Sequence, residues 1–139
     1  MFNYFKKKNN EVIEDPLTKI AALLIHVAKI DENYTQKEKE IIKKAIIKLS
    51  SKNENIDEII GKAEEKEKNS NQILDFTKEV KNMNEDSKTK IIEVLWNLIY
   101  SDNNPDIYEN SLMRRLTGLM YLNPKIVGDI KQKVINKLK

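Results

Sequence analysis

One unit, an apolar helix followed by an acidic turn and a charged helix, occurs twice in this chain at an offset of 71 positions. In the second copy, Leu95-Trp96-Asn97-Leu98-Ile99-Tyr100 closes an apolar helix, Ser101 to Asp106 forms the turn, and Ile107-Tyr108-Glu109 opens the next helix. The first copy runs from Leu24 to Lys44. Asp31, Asn33 and Glu38 match Asp102, Asn104 and Glu109, and Ile41-Ile42-Lys43-Lys44 matches Leu112-Met113-Arg114-Arg115. Upstream, Lys19-Ile20 matches Lys90-Ile91, and Leu24 matches Leu95. Either copy alone would leave a broad apolar helical face in water, so the two must close on a shared core that includes Trp96. The expectation is an all-α protein: a single compact bundle of about seven helices in two pseudo-symmetric halves.

Helical periodicity fills in the rest. Residues 1–14 read as a flexible tail and residues 15–139 as the helical domain. Asp15-Pro16 starts the first helix, an acid at the N-cap and proline at the first helical position. Leu17, Ile20, Ala21, Leu24, Ile25 and Ala28 form its apolar face, and it ends near Ile30. Thr35-Gln36-Lys37-Glu38 has capping-box spacing and opens the second helix, with Ile41, Ile42, Ala45, Ile46 and Leu49 inward. Asn55 caps the third, whose core side is Ile56, Ile59, Ile60 and Ala63 and whose end, Glu64 to Lys68, reads as a solvated charge run. A short fourth helix buries Ile73, Leu74, Thr77 and Val80, and the fifth buries Ile91, Ile92, Leu95, Leu98 and Ile99. Asp106 to Glu109 caps the sixth, which turns Leu112, Met113, Leu116, Leu119 and Met120 inward. Asn123-Pro124 starts the seventh, with Ile126, Val127, Ile130, Val134 and Leu138 inside. Period-two alternation is absent, so no strand is expected.

Several functions are argued against at once. The chain has no cysteine, which removes disulfides and thiolate metal sites. No apolar run approaches the roughly 18 residues of a membrane span, and Met1 to Lys8 puts its lysines after its aromatics, the wrong order for a signal peptide. A cytoplasmic location follows as the default, with Phe2, Tyr4, Phe5 and Lys6 to Lys8 as a weak membrane-surface element at most. The net charge of +3 is carried by Lys6, Lys7 and Lys8, because residues 11–139 hold 22 basic and 22 acidic side chains. With no arginine-rich stripe and no stacking platform, specific nucleic-acid binding is not expected. There is no phosphate loop, nucleophile elbow or zinc helix motif. His26 stands alone, with no nucleophile or imidazole partner, and no enzyme is expected.

The acidic turns are the one constellation with chemical promise. Asp102, Asn104 and Asp106 place oxygens at alternate positions, as a calcium loop does, but an EF-hand also needs glycine at its sixth position and glutamate at its twelfth. Those positions are Ile107 and Met113 in one copy, Gln36 and Ile42 in the other. Two readings stay open. In one, the acids only satisfy helix starts and turns. In the other, Asp31, Glu38, Asp102, Asp106 and Glu109 hold a divalent cation, while Asn33, Asn104, Tyr108, Arg114 and Arg115 meet a protein partner. Apart from that cation, no cofactor is implied. Trp96, Tyr100 and Tyr108 gather near the second turn, as core or as a partner patch.

The same residues resemble a known family. Lys29-Ile30-Asp31-Glu32-Asn33-Tyr34-Thr35-Gln36-Lys37-Glu38 and Tyr100-Ser101-Asp102-Asn103-Asn104-Pro105-Asp106-Ile107-Tyr108-Glu109 resemble the recurring motif of the TerB-like domains. That family includes tellurite-resistance protein B and the N-terminal domain of the membrane co-chaperone DjlA. Leu74-Asp75-Phe76-Thr77 and the run from Glu93 to Leu116 look like its stand-alone members, and the likeness spans Leu17 to Val134. Glu32 and Asn103 replace the family glycine after the aspartate, and glutamate suits a left-handed turn poorly. The resemblance implies seven helices in two halves, a stress-linked, tellurite-resistance-like role, and protein partners at the inner face of a membrane. It implies no catalytic activity.

Overall fold

The computed structural model describes residues 16–30, 34–50, 55–69, 73–101 and 107–138, and of residues 107–110 the backbone alone. Among the described residues there are seven helices and no strand, as helical periodicity predicts. In chain order they are α1 (Pro16–Ala28), α2 (Gln36–Leu49), α3 (Ile56–Lys68), α4 (Leu74–Lys81), α5 (Glu85–Ile99), α6 (Ile107–Leu119) and α7 (Pro124–Lys137). The expected tail, residues 1–14, lies outside them.

Several helix starts are built as the sequence indicates, while Asp15 and Asp106, the expected caps of α1 and α6, lie outside the described residues. Thr35 Oγ1 accepts from the Glu38 amide at 3.1 Å, and Glu38 Oε1 accepts from the Thr35 amide at 2.9 Å, a complete capping box. Asn55, Asn84 and Asn123 cap α3, α5 and α7 through their side-chain oxygens. Pro124 at the first position of α7 gives up an amide that would have had no helical partner.

The core is arranged around α1, which packs against α2, α3, α4 and α5. Nine of its 13 residues are buried, more than the single face read from periodicity, because Ala22, Leu23 and Val27 are enclosed as well. Its alanines let neighbouring helices approach closely. The apolar faces of α1 and α5 join one core with Trp96. Two matched pairs are buried alike: Leu24 and Leu95 are each 0% exposed, and Ile42 and Met113 are 0% and 2%. Trp96 is itself buried and donates from Nε1 to the Val127 carbonyl at 2.9 Å, pinning α5 to α7.

Periodicity misplaces a few side chains. Leu74 and Leu138 are 51% and 52% exposed rather than inside. Leu74 is the first residue of α4, and the helix turns Phe76, 1% exposed, into the core beside Ile73, Thr77 and Val80. Leu138 caps the end of α7, one turn past Val134, the last of its buried residues. Ile41, Leu49, Leu119 and Ile126 are half-buried at the rim of the core.

Candidate functional site

Of the residues expected to carry function, Asp31, Asn33, Asp102, Asn104 and Asp106 lie outside the described residues, as do the side chains of Tyr108 and Glu109. Glu38 is described: it is 6% exposed, and its Oε1 also accepts from Thr35 Oγ1 at 3.1 Å. Arg114 and Arg115 are exposed on α6. Among the described residues no group of three or more His, Asp or Glu side chains has the geometry to hold a metal.

The end of α3 differs from the solvated run that its sequence suggests. Glu67 has a side chain only 10% exposed, and it accepts from His26 Nδ1 at 3.2 Å and from Lys29 Nζ at 2.9 Å. His26 therefore ties α1 to α3, and the geometry assigns a proton to its Nδ1. One turn earlier, Glu64 accepts from the Tyr34 hydroxyl at 3.1 Å and pairs with Lys39 at 3.2 Å. Burial pushes the Tyr34 phenol well above its ordinary value, and the negative charges of Glu64, Glu38 and Glu67 add to the effect. These carboxylates gather where the first turn begins, and each is engaged by its own neighbours.

The opposite situation holds on the other side of the molecule. A groove of about 410 Å³ is walled by α2 and by the end of α7, with α5 between them. The start of α2 meets the end of α5, where Lys37 Nζ donates to the Ser101 carbonyl at 2.7 Å, so these two helices run antiparallel. Helical spacing lines up the contributing residues: Lys37, Ile41, Lys44, Lys48 and Leu49 on α2, and Lys90, Glu93, Val94 and Asn97 on α5. Val134, Lys137 and Leu138 close the far wall. The floor is apolar and partly open to water, and the rim carries five lysines against Glu93 alone. Glu93 pairs with Lys137 at 3.6 Å, whereas Lys44, Lys48 and Lys90 form no ion pair among the described residues.

Sequence reasoning missed this groove. The signal was present in α2, where Lys37, Ile41, Lys44 and Lys48 follow one another at helical spacing. Ile41 had been assigned to the buried stripe, and only the packing of α5 and α7 shows that it floors a cleft. Tyr100 also lines the groove and lies 6.0 Å from Trp96, ring centre to ring centre, joining the cleft to the core.

Taken together, the largely buried central helix and the helices packed round it define an all-α domain. The chain matches the family model of tellurite resistance protein TerB over residues 17–132, and it belongs to that family. TerB is not a family of known enzymes. No match was found among the curated proteins or the solved structures. Among the described residues no helix is long and apolar enough to cross a membrane.

Proposed function

We propose that this chain is a non-enzymatic TerB-like interaction module that holds a protein partner in the α2–α5–α7 groove. Its setting is a stress-linked, tellurite-resistance-like assembly, cytoplasmic and peripheral to the inner face of a membrane. The observation that carries this reading is the contrast between the two charged faces. The described carboxylates near the first turn are engaged by internal partners, while the groove presents an apolar floor under Lys44, Lys48 and Lys90, which form no ion pair among the described residues. Lone lysines over half-buried Ile41 and Val94 add nothing to the stability of the domain, but suit a complementary surface.

The test is a comparative capture from native cells with the full chain and with a Lys44→Glu, Lys90→Glu double variant. A partner retained by the wild type and lost by the variant supports the reading. Equal capture of every retained protein by both overturns it.

A second reading is that Asp31, Glu38, Asp102, Asp106 and Glu109 handle a divalent cation. What favours it is that the two turns carry the same acids, Asp31 with Glu38 and Asp102 with Glu109, at matched positions of the sequence. A calcium or magnesium titration of the wild type and of Asp102→Asn tests it, with identical, flat titrations counting against it.

A further inference from the structure

The duplication lets one half of the molecule report on the other. Shifting the groove-facing positions of α5 back by 71 turns Lys90, Glu93, Val94 and Asn97 into Lys19, Ala22, Leu23 and His26 of α1. On α1 that face is covered. Ala22 and Leu23 are each 0% exposed, and His26 is tied to Glu67 of α3. At Lys19 the cover is α4, whose Glu79 pairs with it at 3.4 Å. Helix α4 packs against α1, α6 and, to a lesser extent, α5, and the counterparts of α1 and α6 are α5 and α2, the two helices that meet along the groove. On α5 the same face is open: Val94 is half-buried, Asn97 is exposed, and Lys90 has no acid facing it among the described residues.

We propose that the groove receives a short amphipathic helix of a protein partner, carrying acidic side chains, seated on α5 as α4 is seated on α1. This rests on the reading of the groove as the docking surface and adds the nature of its occupant. Dimensions agree. The lining residues of α2 span Lys37 to Leu49, about 18 Å at 1.5 Å per residue, which matches about three turns of a docked helix. Half-buried Ile41, Leu49 and Val94 and exposed Leu138 offer seats for apolar side chains spaced three and four apart.

Charge settles the choice among occupants. An acyl chain has one anionic end and would need lysines at one end of the cleft. Here Lys37 stands at one end, Lys48 and Lys90 at the other, and Lys44 between, so the complement carries its negative charges along its length. The aromatic segment Phe2 to Lys8 of this chain holds three lysines and no acid, and is repelled by the same rim.

The experiment uses the full chain and a fluorescein-labelled synthetic peptide of three helical turns, with leucines three and four apart and glutamates on both flanks. Its counterpart carries lysines in place of the glutamates. Fluorescence anisotropy should show saturable binding of the acidic peptide, weakened by added salt. The Lys44→Glu, Lys90→Glu variant should bind it about tenfold less tightly, from two rim pairs turned repulsive. That variant should in turn prefer the lysine peptide, a swap that a misfolded protein would not show. Equal binding of both peptides by the wild type, or an acidic peptide indifferent to the double substitution, overturns the proposal. So does displacement of the bound peptide by dodecanoate at equimolar concentration, which would mark an acyl site, or salt-sensitive self-association of the wild type without peptide binding. If the peptide fails while capture from cells still depends on Lys44 and Lys90, the groove reading stands and only the helical occupant falls. If both are indifferent, the two readings fall together.

Discussion

Three leucines share the same helical periodicity but not the same surroundings, and truncating each to alanine separates pattern from packing. Leu95 is 0% exposed, whereas Leu74 and Leu138 are 51% and 52% exposed. Replacing Leu95 by Ala deletes three carbons, and at about 0.8 kcal/mol each the transfer loss is about 2.4 kcal/mol. The site has little freedom to collapse, because α5 is held to α7 by the Trp96–Val127 hydrogen bond and to α2 by Lys37 on Ser101. A residual cavity therefore adds to the loss and brings the total to about 3–4 kcal/mol, inside the usual Leu→Ala range. For Leu74→Ala and Leu138→Ala the expected change is within about 0.5 kcal/mol. Urea unfolding followed by helical circular dichroism reads all three, with an unchanged slope showing that midpoints report stability. A Leu95→Ala loss below about 0.5 kcal/mol, or a Leu74→Ala loss above about 2 kcal/mol, would refute this account of the core.

Two further outcomes are expected. Tyr121 is the one described non-glycine residue with positive φ, 53°, where it ends α6 with its carbonyl accepting from Lys88 Nζ at 3.3 Å. Relief of the left-handed strain should offset glycine's entropy cost and the lost stacking of Lys81 on the ring, so Tyr121→Gly should change stability by no more than about 0.5 kcal/mol. Tyr121→Val should cost about 1–2 kcal/mol, and equal losses in the two variants would contradict the strain argument. Tyr34, its phenol raised by burial and then by Glu64, keeps its proton in the fold after an unfolded tyrosine has begun to ionise near pH 10. Above that pH the unfolded state sheds a proton that the folded state retains, so stability falls as pH rises. Tyr34→Phe lacks this loss. The wild type's advantage over Tyr34→Phe should therefore shrink between neutral pH and about pH 11, and a constant difference would refute it.

Much of the fold is legible in the residues because local and global signals agree. The capping box at Thr35 and Glu38, the asparagine caps and Pro124 each fix a helix start through groups within three positions of one another. Leu24 and Leu95 fall in the core because period and duplication point the same way. What escapes the sequence depends on distant contacts. The charge run at Glu64 to Lys68 reads as solvated until folding brings His26, Lys29, Tyr34 and Lys39 beside it, between 25 and 41 positions away. Phe76 and Leu74 are two residues apart on one short helix, and only the placement of α4 on α1 decides which is buried. The groove is hidden for the same reason. Lys44 and Lys90 look like ordinary surface residues until α2 and α5 set them on one rim.

That rim bears on why the groove exists at all. Lys44, Lys48 and Lys90 stand along one cleft and form no ion pair among the described residues. Elsewhere several cations are paired across helices: Lys19 with Glu79, Lys29 with Glu67, Lys39 with Glu64, Lys43 with Asp57. A ligand carrying acidic side chains would supply the charge that Lys44, Lys48 and Lys90 lack. The floor helix of the cleft is pinned at Trp96 and at Ser101, and its walls are regular helices, so docking need not reorganise the backbone. A preformed cationic cleft of this kind selects by exclusion as much as by attraction, since a basic or neutral helix gains the apolar seats but meets the lysines unpaired. The proposed docking on α5 thus rests on the unpaired lysines of the rim and on the packing of α4 against α1 as its counterpart.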